Sequence, residues 1–70
     1  MDSTRHYRVK LISHSGIVWY VFSVSEKDNI LLTDNVDFAK AFVKIDECER
    51  VGALKVERDP QLKEHVTEMI

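Results

Sequence analysis

The chain has 70 residues, of which 44% are hydrophobic, and its ten basic and twelve acidic side chains leave a net charge of −2. This length excludes a second domain, the hydrophobic share excludes a disordered chain, and the charge argues against bulk attraction to nucleic acid or anionic lipid. Because Cys48 is the only cysteine, a disulfide within the chain is also excluded, and packing or a second copy must supply the stability.

Two stretches near the N-terminus predict strands. Residues 17–24 form the longest apolar run, and their β-branched and aromatic side chains are typical of a strand buried on at least one face. Residues 7–11 alternate apolar and charged side chains, which predicts a strand with one buried face. Residues 1–6 are polar, and we expect them to be flexible.

The two strands are separated by Ser15 and Gly16. A two-residue loop there predicts a β-hairpin, because glycine supplies the positive φ of a tight turn. This loop makes every cross-strand pair on one face apolar. The pairs on that face are Leu11 with Tyr20, Val9 with Phe22, and Tyr7 with Val24. The other face then carries Ile12 opposite Trp19, Lys10 opposite Val21, and Arg8 opposite Ser23.

A third strand and a helix are predicted next. Residues 30–32 are apolar and follow a polar turn, which predicts a third antiparallel strand. Residues 33–35 are good N-cap residues, and the apolar stripe beyond them predicts a helix over 35–51 that ends at Gly52. The stripe consists of Phe38, Ala41, Phe42, Ile45, Cys48 and Val51. A break near Val43, giving two shorter helices, is the alternative, because β-branched residues there weaken the helix.

The C-terminal part predicts one more strand and a tail helix. Residues 53–57 alternate again, and Asp59 and Pro60 favour the start of a short amphipathic helix over 60–70. The layout is β-β-β-α-β-α, a single small α+β domain over residues 1–70. We expect an antiparallel three- to four-stranded sheet packed on one main helix in a two-layer sandwich. The sheet residues expected to face this helix are Tyr7, Val9, Leu11, Val18, Tyr20, Phe22 and Val24.

No pattern indicates catalysis, a metal or a cofactor. Asp46, Glu47 and Glu49 point in different directions around a helix, and Cys48 lies in the apolar stripe, where an inert thiol is expected. The three histidines, His6, His14 and His65, have no metal-ligand spacing. The apolar run is too short to span a bilayer, and residues 1–5 do not resemble a signal peptide. We therefore expect a cytoplasmic protein that is not an enzyme and has no membrane partner.

The second sheet face is the most informative prediction for function. Its apolar patch consists of Ile12, Ile17, Trp19 and Val21. A sheet face in contact with water should be polar, so this patch is covered either by the tail helix or by another molecule. We expect it to bind a protein partner or a second copy of the chain, as a small interaction module.

Nucleic-acid binding is the alternative function. Arg5, Arg8, Lys10 and Trp19 place cations and one aromatic ring near the first strand, and such a surface can hold a single strand by charge and stacking. The overall acidic charge argues against this alternative, because an electrostatic footprint normally needs more basic residues.

Three runs in the second half of the chain carry a resemblance: DFAKAF over residues 37–42, DEC over 46–48 and GALKVE over 52–57. In these runs the chain resembles small uncharacterised proteins of bacteriophages and prophages. In those proteins paired strands lead to an Ala-Lys-x-Phe-like helix start, an acidic helix, a glycine and a closing strand. The resemblance implies a small accessory or host-interaction protein and assigns no site residues.

Overall fold

The fold is an antiparallel four-stranded sheet with one main helix packed on it, which confirms the predicted α+β class. The structure is a computed structural model and describes residues 4–70. Its elements are β1 (Tyr7–Ser13), β2 (Val18–Val24), β3 (Ile30–Thr33), a 3₁₀ turn (Val36–Phe38), α1 (Ile45–Arg58) and β4 (Leu62–Met69). The strands lie in the order β3-β2-β1-β4.

The N-terminal residues lie partly outside this description. The sequence predicts that residues 1–6 are flexible. Of these, residues 1–3 lie outside the described residues. Residues 4–6 are exposed and have no regular secondary structure. At the end of this segment the His6 carbonyl oxygen accepts the Ile70 N–H (2.8 Å), so the two ends of the described chain lie side by side.

The β1–β2 hairpin turns through three residues rather than the predicted two. The Gly16 N–H donates to the Ser13 carbonyl oxygen (3.0 Å), and the Ser13 N–H donates to the Ile17 carbonyl oxygen (2.9 Å). The Ile17 N–H also donates to the Ser13 hydroxyl (2.9 Å). Gly16 has a φ of +88°, as the last residue of a three-residue hairpin loop commonly does. The prediction of a glycine turn is therefore right in place and wrong in length.

The additional loop residue shifts the strand register by one position. Residues Lys10, Leu11 and Ile12 lie opposite Tyr20, Trp19 and Val18, respectively. The predicted pairs Leu11–Tyr20, Val9–Phe22 and Tyr7–Val24 are wrong. Because successive side chains point to opposite faces, this shift turns the whole of β2 over relative to the prediction. Val21 is fully buried, whereas Phe22 is about half exposed.

Residues 40–42 extend the sheet where β1 and β2 stop pairing. The Lys40 N–H donates to the Val21 carbonyl oxygen (2.8 Å), and Phe42 exchanges two backbone hydrogen bonds with Tyr7 (2.7 Å each). The Phe42 side chain is buried in the core. These bonds require extended backbone at residues 40–42, which explains why the predicted helix over 35–51 does not form as one helix.

The observed helix lies further toward the C-terminus than predicted. Residues 36–38 form only a 3₁₀ turn, which Asn35 caps by accepting the Asp37 N–H on its side-chain oxygen (2.9 Å). The interruption near Val43 agrees with the alternative of a break there, but the first half contributes no α-helix. Helix α1 then continues through Gly52 and residues 53–57, so the predicted stop and the predicted fourth strand are wrong. Acidic residues in its first turn and basic residues in its last turn favour α1 through the helix dipole.

The tail helix predicted over residues 60–70 is also wrong, because these residues form β4. Strand β4 pairs antiparallel with β1 along its whole length, from Tyr7–Met69 to Ser13–Leu62. The apolar residues that suggested a helix do not share one face, since Leu62 is buried and Val66 is 40% exposed. Strand pairing satisfies the backbone N–H and C=O groups on the second edge of β1, which a helix would leave without partners.

The β2–β3 hairpin is tied to α1. An irregularity between Val21 and Ser23 shifts its register, and such bulges bend a strand. In the connecting turn the Asp28 carboxylate accepts from Arg50 (3.2 Å), and the Asp28 carbonyl oxygen accepts from Arg58 (2.6 Å). Asp28 has a φ of +58°, a left-handed conformation that aspartate tolerates better than most residues. Both arginines of α1 therefore hold this turn.

The core lies between α1 and the face of the sheet that we call the inner face, and the opposite face is the outer face. Helix α1 contacts mainly β1 and β4. The buried hydrophobic residues are Val9, Leu11, Val21, Ile30, Phe42, Cys48, Val51 and Leu62. Val9 and Leu11 were predicted on the helix side and are confirmed there, whereas Tyr20 and Phe22 lie on the other side.

Gly52 allows α1 to approach β4 closely. A Cβ atom built on Gly52 would lie 2.7 to 2.9 Å from the Nδ1, Cγ and Cβ atoms of His65. Real Cβ atoms do not approach other atoms this closely, so only glycine fits at this position. Glycine in the middle of a helix normally lowers stability, and here it is required for packing.

Substitution of Gly16 tests the three-residue loop. Gly16→Ala should lower the free energy of unfolding by about 1 kcal/mol, because an L side chain strains the backbone at positive φ. No atom lies within 4 Å of the added Cβ, so this loss reports the backbone alone. Gly16→Asn should cost less in the same urea unfolding experiment, since asparagine adopts the left-handed region more readily. Equal stability of the alanine variant and the wild type would contradict the turn geometry.

Substitution of Gly52 tests the close approach of α1 to β4. Gly52→Ala should destabilise the protein by about 1 to 3 kcal/mol through the clash with His65. In a His65→Gly background, which removes all three clashing atoms including the Cβ, the same substitution should stabilise it, because alanine is favoured over glycine in a helix by about 1 kcal/mol. Chemical denaturation of the four proteins of this double-mutant cycle measures the coupling. Additive effects would show that the two residues are not in contact.

Candidate interaction surface

The outer face is built by strand alternation and by the cross-strand pairs. Lys10 lies between Tyr20 on β2 and Val66 on β4, and Ile12 lies between Val18 and Glu64. Residues that lie opposite each other in an antiparallel sheet share a face, so these side chains point to the same side. The outer face comprises Arg8, Lys10, Ile12, Val18, Tyr20, Phe22, Leu31, Thr33, Glu64, Val66 and Glu68.

One half of the outer face is charged and internally paired. The Arg8 Nε donates to Glu68 (2.9 Å), and the Lys10 Nζ lies 3.7 Å from the other carboxylate oxygen of Glu68. The Arg8 guanidinium also lies over the Tyr20 ring, 5.6 Å from its centroid. All three charged side chains are about one-quarter exposed, so solvent screens the pairs only in part. These contacts hold Arg8 in a defined orientation beside the aromatic ring.

The other half of the outer face is apolar and exposed. Phe22 is 48% exposed and Leu31 is 58% exposed, and the two lie on neighbouring strands at the bulge. Val66 on β4 is also exposed (40%), but it lies beside Lys10 in the charged half. Single exposed apolar side chains are common, whereas neighbouring ones mark contact surfaces.

The four residues predicted as the contact patch do not share a face. Val21 is fully buried on the inner face, and Trp19 packs against the core on the same side. Ile12 lies on the outer face, and Ile17 is 53% exposed at the hairpin, where it pairs with Ser13. The predicted patch is therefore wrong as a surface, because the one-residue register shift exchanges the two faces of β2. The amphipathic pattern alone fits either face, so only the loop length distinguishes them.

The residues of the nucleic-acid alternative are also separated. Arg8 and Lys10 lie on the outer face and pair with Glu68, whereas Trp19 lies on the inner side of the sheet. Arg5 donates to the sulfur of Met69 (3.3 Å) at the end of β4. Tyr20, not Trp19, is the aromatic ring beside these cations. The predicted cations and Trp19 therefore do not form one surface, and the fold weakens the nucleic-acid alternative.

A cleft lies on the inner side, at the C-terminal end of α1. It has a volume of about 190 Å³ and is lined by Ser13, Trp19, Leu32, Asp59, Gln61 and Leu62. We call it the Trp19 cleft. No local pattern in the sequence indicates this cleft, because it forms only where the α1–β4 connection meets β2 and β3.

Glu49 links α1 to β4 through two polar contacts. Thr67 donates its hydroxyl to Glu49 (3.0 Å), and the His65 Nδ1 lies 3.6 Å from the second carboxylate oxygen. Within residues 4–70 the buried Nδ1 has no hydrogen-bond partner. No group of three or more His, Cys, Asp or Glu residues in that part of the chain is arranged to hold a metal ion.

Cys48 is buried in the core, where the apolar stripe predicted it. Burial raises the pKa of the Cys48 thiol, and the carboxylates of Glu47 and Glu49 raise it further. A raised pKa lowers the fraction of thiolate, which is the reactive form. The geometry is therefore that of a packing residue.

The pH dependence of stability tests this assignment. At pH values between the thiol pKa of the unfolded chain and that of the folded chain, only the folded chain keeps the thiol proton. The folded state then binds more protons, so stability falls as pH rises. From about pH 8 to about pH 10, the wild type should lose free energy of unfolding relative to Cys48→Ala. Urea unfolding of both proteins across this range measures the difference. Parallel pH profiles would show that the thiol is not perturbed.

Comparison of the chain with protein-family models, with curated proteins and with solved structures gives no match. The resemblance to bacteriophage and prophage proteins stays a prediction. Its expected layout differs from the fold, because residues 37–42 do not begin an α-helix and residues 52–57 lie inside α1.

Helix α1 has 14 residues and includes charged side chains at both ends, and no helix in residues 4–70 is both long and apolar enough to cross a bilayer.

Proposed function

We propose that the chain is a small, non-enzymatic interaction module that binds a second copy of itself through the outer face of the sheet. The observation that carries this proposal is the exposure of Phe22 (48%) and Leu31 (58%), which lie on the neighbouring strands β2 and β3 at the bulge, where Leu31 pairs with Ser23. Burying such side chains against a partner would remove apolar surface from water, which stabilises the complex by about 25 cal/mol for each Å² of apolar surface buried.

The charges of the outer face favour a second copy over a strongly charged partner. Arg8 and Lys10 on β1 are balanced by Glu64 and Glu68 on β4, so two positive and two negative side chains leave the face neutral. Glu68 already pairs with both cations. A neutral face that carries both signs neither attracts nor repels a copy of itself strongly, and it gives no selective attraction to an acidic or basic molecule.

The size of the chain supports the same proposal. A domain of 70 residues buries only about 60% of the surface that its unfolded chain exposes. Small domains therefore often gain stability by association, since binding to the folded state shifts the folding equilibrium.

Self-association should depend on Phe22. Sedimentation equilibrium at concentrations up to about 1 mM should show a species of about twice 8.2 kDa. Phe22→Glu should weaken the association at least about tenfold, because the interface would have to bury an unpaired charge. Circular dichroism checks that the variant is folded.

Ile17→Glu is the matched control. Ile17 is exposed to a similar extent, 53%, but it lies at the hairpin and not on the outer face. We expect this variant to associate like the wild type. A chain that stays monomeric at the highest concentration would overturn self-association and leave a different protein as the occupant of the outer face. An equal effect of both substitutions would remove the outer face as the site.

A further inference from the structure

The Trp19 cleft combines an aromatic ring, apolar walls and one carboxylate. Among its lining residues, Trp19 is the aromatic one, Leu32 and Leu62 are aliphatic, and Asp59 carries the carboxylate. Ser13 and Gln61 make the rest of the lining polar. Within residues 4–70 the indole N–H of Trp19 donates to no protein atom, and its side chain packs only partly into the core. The ring is therefore held in place by packing while part of it remains accessible from the cleft.

The electrostatics of the cleft favour a cation. Asp59 is the C-cap of α1, a helix of 14 residues, and the C-terminal end of a helix carries partial negative charge. The Asp59 Oδ1 accepts the Gln61 N–H (3.0 Å), which orients the carboxylate. The neighbouring Arg58 guanidinium donates to the Asp28 carbonyl oxygen (2.6 Å), so this cation is bound at the β2–β3 turn and does not pair with Asp59.

The volume of the cleft limits the ligand to a small group. At about 190 Å³ it is smaller than the pockets of about 300 to 1,000 Å³ that hold drug-sized ligands and cofactors. A compact group such as an ammonium with a few methyl substituents matches this volume.

We propose that the Trp19 cleft binds a small organic cation of the quaternary or methylated ammonium class. The cationic head lies against the Trp19 ring, whose face attracts positive charge, and its charge is balanced by Asp59. The methyl groups contact Leu32 and Leu62. This site is separate from the outer face and does not depend on self-association.

Fluorescence of the single tryptophan tests the proposal directly, because Trp19 is the only tryptophan in the chain. Titration with choline should change the Trp19 emission in a saturable way, with half-saturation on the order of 1 to 10 mM. The neutral isostere 3,3-dimethylbutan-1-ol has the same shape without the charge. It should need at least about fivefold higher concentrations, since it lacks the cation–π and carboxylate interactions.

Two variants test whether the Asp59 carboxylate contributes to choline binding. Asp59→Asn keeps an oxygen for the Gln61 N–H and should raise the half-saturation concentration for choline at least about threefold. Asp46→Asn makes the same change of charge at the opposite end of α1 and should bind choline as the wild type does. Circular dichroism checks that both are folded.

A second arm distinguishes a free metabolite from a protein side chain. A blocked trimethyl-lysine that binds more tightly than choline would assign the cleft to methylated lysine side chains, and the reverse order would assign it to a free quaternary amine. Equal binding of choline and its neutral isostere would overturn the proposal, as would the absence of saturation at about 100 mM choline. Because the cleft lies on the inner side of the sheet and the proposed interface on the outer face, the outcome of this assay is independent of sedimentation.

Discussion

The contact between α1 and the β1–β4 strand pair is the constraint on which the rest of the structure depends. Val9 and Leu11 on β1 and Cys48 and Val51 on α1 are all fully buried at this contact. Once α1 covers one face of β1, every other strand must place its apolar side chains on that same face or leave them exposed. Gly52 makes the contact close enough, because any side chain at that position would meet His65 on β4.

The length of the hairpin loop at Gly16 determines which side chains of β2 lie on the outer face. Its three-residue loop places Trp19 and Val21 on the inner side and turns Tyr20 and Phe22 outward. A loop shorter by one residue would exchange these pairs, since side chains alternate along a strand. The outer face therefore acquires an aromatic and apolar half beside the Arg8–Glu68 pair, and the inner side acquires the tryptophan ring of the cleft.

The two proposed surfaces lie on opposite sides of β2 and use different chemistry. The outer face offers exposed apolar side chains and balanced charges, which suit a protein surface. The Trp19 cleft offers one ring and one carboxylate in a small volume, which suit a compact cation. Each arises where separate elements meet: the bulge of β2 opposite β3 for Phe22 and Leu31, and the end of α1 against the sheet for Asp59 and Trp19.

The sequence by itself determined the α+β class, the first three strands and the inward-facing residues Val9 and Leu11. It also determined the glycine turn and the buried stripe at Cys48 and Val51. Those features follow from short-range periodicity and from glycine at a turn, which act within a few residues. Only the tertiary structure decided the register of β2, the extended backbone at residues 40–42 and the strand formed by residues 62–69. These depend on which distant backbone groups need hydrogen-bond partners, and short segments with mixed patterns fit a helix or a strand until those partners are in place.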